Sequence, residues 1–350
     1  MRCGIQAGDG KKYKVNLIKE DDAYDPSKTP DVVKKLVDQE GVFALVGDIG
    51  TETNLAVRDY VNRKCVPSIA LATGSTQWGD AAKYPWYIAG LPSYATEARA
   101  FLDYLEKTKP DATIAILAQN DDFGAAYGKA IKKYIADTGS KMQVVAEESY
   151  DPSAGGTTEG ATTKLASSNA DVFFVGIGGT QCSETLTFIP ATWKPMTYVS
   201  ITCSGKTAMA LTQGKDEGLY SAQATLDVGT TADQSNPKVQ EFFTEGAAQG
   251  LDQNTLEGGI AAAGWGFGAL FVRGLELTKT VDRAAIMNTL YSLKDQNFGL
   301  MRDDAVANTN GADDPWVLED LRIIKRSGGQ WAEASPLVSY DGKSNSFAGQ

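Results

Sequence analysis

The chain has 350 residues, of which 42% are apolar and 22% charged, and its formal net charge is −11. This composition is that of a folded globular protein long enough for two domains. No cluster of lysine or arginine offers a basic face, so we expect no nucleic-acid partner. The sequence contains no histidine, which removes the common hydrolase templates and histidine zinc sites.

Short apolar segments alternate with segments of helical periodicity. The predicted strands are YKVNLI, GVFALVG, VPSIALA, ATIAILA, DVFFVGI and MTYVSIT. The predicted helices occupy residues 30–39, 55–64, 94–107, 125–136 and 180–188. This order and spacing indicate parallel sheets with helices on both faces. No run of 18 apolar residues occurs, so we expect no helix that spans a membrane.

Two segments, WYIAGLPSY and GLYSAQATL, interrupt this order and are predicted to cross between domains. After them the chain is predicted to be mainly helical, at residues 237–248, 255–278 and 282–293, before a hairpin in VLEDLRIIKRSGGQWAE. The predicted fold class is α/β, with two doubly wound parallel-sheet domains joined by crossing strands. One lobe is predicted to contain residues 1–91 plus 224–315, and the other residues 92–223 plus 316–350.

Small and hydroxyl-bearing residues follow the predicted strands, where open parallel sheets bind their ligands. GDIGTETN follows GVFALV, ATGSTQW follows VPSIAL, and GIGGTQC follows DVFFV. Glycines and hydroxyls at a helix start favour an anionic or polar small ligand. The alternative for GDIGTETN is that Thr51 or Thr53 simply caps the next helix.

Other patterns in the sequence give weaker indications of a binding site. GIGGTQ lacks the G-x-G-x-x-G spacing of dinucleotide sites, and no complete phosphate-binding loop occurs. A group of four acidic residues could hold a metal ion: Glu20, Asp21, Asp22 and Asp25. We expect instead that Asp25 starts a turn and caps the next helix. Three aromatic residues could line a pocket or pack in the core: Trp78, Trp86 and Phe123.

The four cysteines form no C-x-x-C pair. Cys182 begins a predicted helix after one strand, and Cys203 ends the next strand. Adjacent parallel strands lie about 4.8 Å apart, so a disulfide between these two is geometrically reasonable; two free thiols are the alternative. A bridge between Cys3 and Cys65, which both precede strands, has weaker support.

Three turns occur in a fixed order in this chain: DD-x-x-DP, VG-x-x-GT-x-TN and ATGS. Together with AQNDDFG and DVFFVGIGG, they resemble the type I periplasmic binding proteins over nearly the whole chain. The resemblance is closest to the branched-chain amino-acid (Leu/Ile/Val) class that serves ABC importers. Each motif alone is weak, whereas the set is quite specific.

The resemblance implies a set of ligand-binding residues at the strand ends: Thr51, Ala72, Thr73, Gly74, Ser75, Phe123, Thr180, Gln181 and Thr202. Thr51 matches the hydroxyl that contacts the ligand carboxylate in this family. Thr202 stands where the amino-acid binders place a glutamate for the ligand ammonium. We therefore expect a small carboxylate or amide-like solute, or a branched-chain amino acid if another acid takes that role: Asp121, Asp122 or Glu184.

The resemblance also implies that the family's first strand and first ligand loop are missing from this sequence, in which MRCGIQAGDG shows no signal peptide. We expect a monomeric extracytoplasmic protein, periplasmic or a cell-surface lipoprotein, that closes about a hinge on ligand in its inter-domain cleft. An ABC permease is the expected membrane partner, and no cofactor, metal or catalysis is expected. The alternatives are the sensing domain of a receptor and a histidine-free α/β enzyme.

Overall fold

The computed structural model describes residues 4–152 and 156–349, and the chain divides into two compact units. Unit 1 consists of Met1–Ser93, Gly264–Glu319 and Asp341–Asn345. Unit 2 consists of Tyr94–Ala263, Asp320–Tyr340 and Ser346–Gln350. This division differs from the predicted lobes mainly at residues 224–263, which belong to unit 2 rather than to the first lobe.

The helices and strands are numbered in chain order. The strands are β1 (Ile5–Gln6), β2 (Lys12–Tyr13), β3 (Leu45–Val46), β4 (Ser68–Leu71), β5 (Tyr87–Ala89), β6 (Thr113–Gln119), β7 (Gln143–Tyr150), β8 (Val172–Gly176), β9 (Met196–Val199), β10 (Tyr220–Gln223), β11 (Asp320–Ser327), β12 (Gln330–Glu333) and β13 (Val338–Ser339). The helices are α1 (Thr29–Lys34), α2 (Thr51–Arg63), α3 (Tyr94–Thr108), α4 (Asp122–Thr138), α5 (Glu159–Ala166), α6 (Gly179–Thr187), α7 (Lys206–Met209), α8 (Thr231–Gln234), α9 (Pro237–Ala248), α10 (Gln253–Glu257), α11 (Ile260–Leu277), α12 (Arg283–Leu290) and α13 (Ser344–Phe347). A π-helix (Lys35–Gln39) continues α1.

Both units contain parallel sheets, as the predicted α/β class requires. Unit 1 has a three-stranded parallel sheet in the order β3-β4-β5, and β1 and β2 form a separate antiparallel pair. Unit 2 has an eight-stranded sheet along the path β12-β11-β10-β9-β8-β6-β7, with β13 paired to β11. Strands β6 to β10 run parallel, whereas β11 and β12 form the predicted antiparallel hairpin.

The predicted strand YKVNLI was wrong beyond Tyr13. Residues 14–18 pair with no strand in the described part of the chain, so their backbone gains no ladder of hydrogen bonds. Their side chains are correspondingly exposed, with Leu17 at 78%. The apolar pattern alone therefore could not decide whether a neighbouring strand was available to this segment.

Strand β7 was not predicted. Its residues alternate between exposed and half-buried along QVVAEESY, as an edge strand does, and Glu147 and Glu148 interrupt its apolar pattern.

The hairpin turn between β11 and β12 contains Gly328 and Gly329, whose φ angles of 56° and 74° suit glycine.

Residues 224–263 belong with unit 2 because several contacts hold them there. The amide of Thr207 donates to the carbonyl of Gly258 at 3.2 Å, and Lys206 forms an ion pair with Glu257. The single helix predicted for residues 255–278 was also wrong, because Gly258 and Gly259 separate α10 from α11 and Gly259 has φ of 101°.

One helix in residues 4–152 and 156–349 is long and apolar enough to cross a membrane, by length and composition only. It is α11, with a mean hydropathy of 1.2 and 17% of its length buried. The sequence analysis did not detect it because Arg273 and Glu276 interrupt the apolar run. Such a helix is weak support for a membrane segment, because helices of soluble proteins pass the same criterion.

A disulfide joins Cys182 and Cys203, whose Cα atoms lie 6.2 Å apart. The predicted bridge is therefore confirmed, and it ties the first turn of α6 to the 3₁₀ turn that follows β9 (Ile201–Cys203). Cys3 lies outside the described residues, and Cys65 is a free, exposed cysteine. The bridge fixes the two neighbouring strand ends of unit 2 to each other.

We expect the double variant Cys182→Ala, Cys203→Ala to lose about 3 kcal/mol of unfolding free energy, because the bridge closes a loop of 21 residues in the unfolded chain. Urea unfolding followed by far-UV circular dichroism measures this loss. Cys65→Ala is the matched control and should change stability by under about 0.5 kcal/mol. A double variant as stable as this control would contradict the expectation.

Candidate functional site

The turn GDIGTETN in unit 1 leads from β3 into α2. Helix α2 begins after Gly50, which has φ of 103°, and no side chain in the described chain caps this helix start. The hydroxyl of Thr53 donates to the carbonyl of Ile49 instead, and Thr51 Oγ1 lies 2.7 Å from Thr73 Oγ1. The capping alternative was therefore wrong, and the partial positive charge of the helix start is left without a capping side chain.

The second predicted turn of unit 1, residues 72–75, lies directly beside the first. The amide of Ala72 donates to the carbonyl of Asp48 at 2.9 Å, and the amide of Ser75 donates to Thr73 Oγ1 at 3.1 Å. Thr73, Gly74 and Ser75 are buried, whereas Ala72 is half-buried. The structure thus brings all five predicted residues of unit 1 together at the carboxyl ends of β3 and β4.

Two residues of this region were missed by the sequence analysis. Asn54 Nδ2 donates to the carbonyls of Asp48 at 3.1 Å and Gly50 at 2.7 Å, which holds the turn in place. Asp48 Oδ2 accepts from Ser68 Oγ at 2.8 Å. Burial raises the pKa of Asp48 to about 6, and the charge of Asp22 adds to this effect while the Ser68 hydrogen bond opposes it.

In unit 2, Phe123 lies in the first turn of α4 and is almost fully buried. Its ring packs edge-on against Tyr94, with centroids 4.8 Å apart, and against Tyr127 at 5.7 Å. These contacts are those of a core residue, which was the alternative stated for it. Its contact with a ligand stays a prediction.

Three other predicted residues of unit 2 lie at strand ends around the disulfide. Thr180, which is exposed, and Gln181, which is half-buried, form the first turn of α6 next to Cys182. Thr202 is exposed in the 3₁₀ turn next to Cys203. Helix α6, like α2, starts after a glycine, and no described side chain caps it. Unit 2 therefore presents its own group of helix-start and hydroxyl donors.

The acids suggested as partners for a ligand ammonium lie at different positions in unit 2. Asp121 caps α4 by accepting from the amide of Gly124 at 3.1 Å, and it also accepts from Gln119. Glu184 is exposed on α6. A surface depression of about 430 Å³ borders the start of α4 and includes Asp121 but none of the nine predicted ligand residues.

The sequence analysis missed a fully buried acid in α3. Glu97 Oε1 accepts from Tyr198 Oη and from the amide of Ile201, both at 2.8 Å, and Glu97 Oε2 accepts from Tyr127 Oη at 2.7 Å. Burial raises the pKa of Glu97 to about 7, although these three hydrogen bonds lower it. One signal in the sequence was available, because residue 97 lies on the apolar stripe of residues 94, 101 and 105.

The acidic turn near the start of the chain was predicted only in part. Asp25 does start a turn, accepting from the amide and hydroxyl of Ser27. It does not cap α1, whose capping position is Lys28; the hydroxyl of Thr29 donates instead to Asp22.

A second acidic group lies in unit 1, with carboxylate oxygens within 4.8 Å of one another: Asp314, Glu319 and Asp341. Glu319 accepts from the amides of Gly342 and Ser344 at 2.8 and 3.0 Å. Burial raises the pKa of Glu319 to about 7. Backbone amides therefore hold the Glu319 carboxyl in this group, and burial favours its protonated form.

A family model described as periplasmic binding protein matches residues 4–320 of this chain. This chain belongs to the periplasmic binding protein family. The resemblance to the type I members, seen in the three turns, is thereby confirmed. A comparison with curated proteins found no match.

Several solved structures share the fold of this binding protein. A branched-chain amino acid ABC transporter protein from Thermus thermophilus with bound valine has 16% identity and a TM-score of 0.76, over 93% of this chain and 85% of that one. A substrate binding protein of an Aeropyrum pernix ABC transporter has 16% identity and a TM-score of 0.81, over 98% and 89%. A leucine binding protein from Thermotoga maritima has 12% identity and a TM-score of 0.75, over 96% and 90%.

We expect the Asp48 carboxyl to make the stability of this binding protein depend on pH. Its folded-state pKa is raised to about 6 from an ordinary 3.8, so its favourable contribution is complete below about pH 4 and is lost as pH rises through 6. Relative to Asp48→Asn, the natural protein should lose on the order of 1–2 kcal/mol between pH 4 and pH 7. Urea unfolding of both proteins across this range measures the difference, and parallel pH profiles would contradict it.

Proposed function

We propose that this protein is an extracytoplasmic solute-binding protein of an ABC importer. Its ligand is a small solute with a carboxylate or amide group, including the branched-chain amino acids. The protein binds this ligand without chemical change and presents it to a membrane permease. Membership of the periplasmic binding protein family supports this function, and so does the chemistry of the strand ends in each unit.

One observation carries the proposal: the start of α2 is uncapped while two buried hydroxyls meet beside it. Thr51 and Thr73 share a hydrogen bond of 2.7 Å. Only one of the two hydroxyls donates its proton in this bond, so the other can donate to a ligand, and both keep lone pairs that can accept from one. A helix start without a side-chain cap attracts an anion through its backbone amides and partial positive charge. Together these groups suit a carboxylate.

The second unit offers complementary groups, and we propose that they reach the same ligand when the two units close about the hinge. The start of α6 carries Thr180 and Gln181, and the turn after β9 carries Thr202. Because the disulfide joins these two strand ends, their spacing is fixed before the ligand arrives. Such closure lets the permease distinguish the loaded protein from the empty one.

The proposal predicts selective stabilisation by small carboxylates. We expect leucine, isoleucine, valine or their deaminated analogues to raise the melting temperature by several degrees, since a ligand at 100 times its Kd adds about 2.7 kcal/mol. A thermal-shift screen followed by calorimetry measures this, with polyols and sugars as the control compounds. A protein that melts cooperatively and that none of the carboxylates, amides or amino acids stabilises would overturn the proposal.

A second prediction concerns the hydroxyl at the start of α2. Thr51→Val keeps the shape of the side chain but removes the hydroxyl, so we expect the Kd of the screened ligand to rise about tenfold or more. Thr289→Val is the matched control in unit 1, because the Thr289 hydroxyl donates only to the Ala285 carbonyl. Calorimetry should show an unchanged Kd for the control; equal affinity of both variants would exclude Thr51 from the site.

A further inference from the structure

A chain of hydroxyl groups in unit 2 starts at the buried carboxylate of Glu97 and ends at the surface. Tyr127 Oη lies 2.7 Å from Glu97 Oε2 and 2.7 Å from Ser200 Oγ. Ser200 Oγ in turn lies 3.0 Å from Thr202 Oγ1. Tyr127 and Ser200 are fully buried, whereas Thr202 is exposed. The chain therefore connects an acid without solvent contact to a hydroxyl that a ligand can touch.

The charge of Glu97 decides which way the hydrogen bonds of this chain point. An ionised carboxylate only accepts hydrogen bonds, so Tyr127 must donate its single hydroxyl proton to Glu97. Ser200 must then donate to Tyr127, and Thr202 must donate to Ser200. Thr202 Oγ1 is left with lone pairs facing outward, which makes it a hydrogen-bond acceptor.

Protonation of Glu97 reverses this direction. Oε1 already accepts from Tyr198 Oη and the amide of Ile201, so the proton is taken up at Oε2 and donated to Tyr127. Each hydroxyl then donates to the next one outward, and Thr202 ends the chain with a proton to donate. One buried charge thus switches the exposed hydroxyl between acceptor and donor.

We propose that the ionised carboxylate of Glu97 acts through Tyr127 and Ser200 to make Thr202 a specificity-determining acceptor for an ammonium or amide N–H of the ligand. This inference rests on the proposed function and refines its ligand class to solutes that carry both a carboxylate and a nitrogen donor. Glu97 is a positioning residue here, because it does not touch the ligand. Its negative charge, conveyed by aligned hydroxyl dipoles, favours a cationic donor at Thr202.

Glu97 also changes charge near neutral pH, as Glu319 does in unit 1. The groups that face it are Tyr127 from α4, Tyr198 from β9 and the amide of Ile201, and no lysine or arginine in the described residues forms an ion pair with it. Burial raises the pKa of both tyrosines well above 10, so they stay neutral. Burial raises the pKa of Glu97 to about 7.

The test compares leucine with 4-methylpentanoate, which has the same skeleton without the amine, by calorimetry at pH 6 and pH 8. For the natural protein we expect the Kd of leucine to fall about tenfold as the ionised fraction of Glu97 rises, while the Kd of 4-methylpentanoate does not fall. Glu97→Gln keeps the shape but fixes the protonated direction of the chain. It should weaken leucine binding about tenfold at pH 8 and abolish its pH dependence.

A second variant keeps the three hydrogen bonds of Glu97 intact. Ser200→Ala interrupts the chain beyond Tyr127 and should also weaken leucine but not 4-methylpentanoate. Ser183→Ala is the matched control, since the buried hydroxyl of Ser183 has no hydrogen-bond partner in the described part of the chain; it should bind both ligands as the natural protein does. Thermal melts establish that each variant is folded.

The outcomes separate this inference from the proposed function. If the natural protein binds none of the carboxylates, amides or amino acids, the proposed function fails and the inference falls with it. If it binds 4-methylpentanoate or other carboxylates but no compound with a nitrogen donor, the proposed function stands and the inference is overturned. If it binds leucine while Glu97→Gln and Ser200→Ala leave that affinity unchanged, only the hydroxyl chain is overturned. If both variants weaken leucine and 4-methylpentanoate equally, their role is structural and the inference is likewise overturned.

Discussion

A carboxylate removed from water costs several kcal/mol of free energy unless hydrogen bonds replace its hydration. Glu97 meets this requirement with three donors that come from α4, β9 and the turn after β9. Each donor can bond the carboxylate only if its own element lies at one position relative to α3. The aromatic rings of Phe101 and Tyr198, with centroids 4.3 Å apart, help to exclude water from this region. The hydrogen bonds of one buried acid therefore help to position α4, β9 and the turn after β9 that carries Thr202.

Unit 1 places its groups by a different balance of hydrogen bonds. The hydroxyls that the sequence offers for capping α2 are engaged elsewhere: Thr51 with Thr73, and Thr53 with the carbonyl of Ile49. Asn54 holds the preceding backbone instead of the helix start. None of these three side chains caps the helix start, which keeps its partial positive charge for another acceptor. This arrangement loses the stability of a cap, about 1 kcal/mol, which is the cost expected of a binding site rather than of a structural turn.

Sequence reasoning succeeded where a pattern has one physical solution. Strands such as β6 and β8 are continuous apolar runs that only a doubly covered parallel sheet can bury, and the disulfide followed from the adjacency of two strand ends. Sequence reasoning failed where a strand or a hydrogen-bond donor from a distant part of the chain decides the structure. Residues 14–18 have an apolar pattern but no adjacent strand, whereas β7 has acids on its surface but an available edge. Glu97 escaped notice because one acid on an apolar helix stripe gives no sign of which distant donors will surround it.

The exposed hydroxyl of Thr202 lies where several of these constraints converge. Its turn is held covalently by Cys203, by the bond between the Ile201 amide and Glu97, and by Ser200, which accepts from the Thr202 amide at 3.3 Å. A group fixed on so many sides loses little further conformational entropy when a ligand binds. Rigid polar groups also discriminate strongly, because a ligand that cannot pair with them leaves them desolvated and unpaired. The surroundings of Thr202 thus give its hydroxyl a fixed geometry and, through Glu97, a negative polarity. A flexible carboxylate on the surface would supply the negative charge but not the fixed geometry.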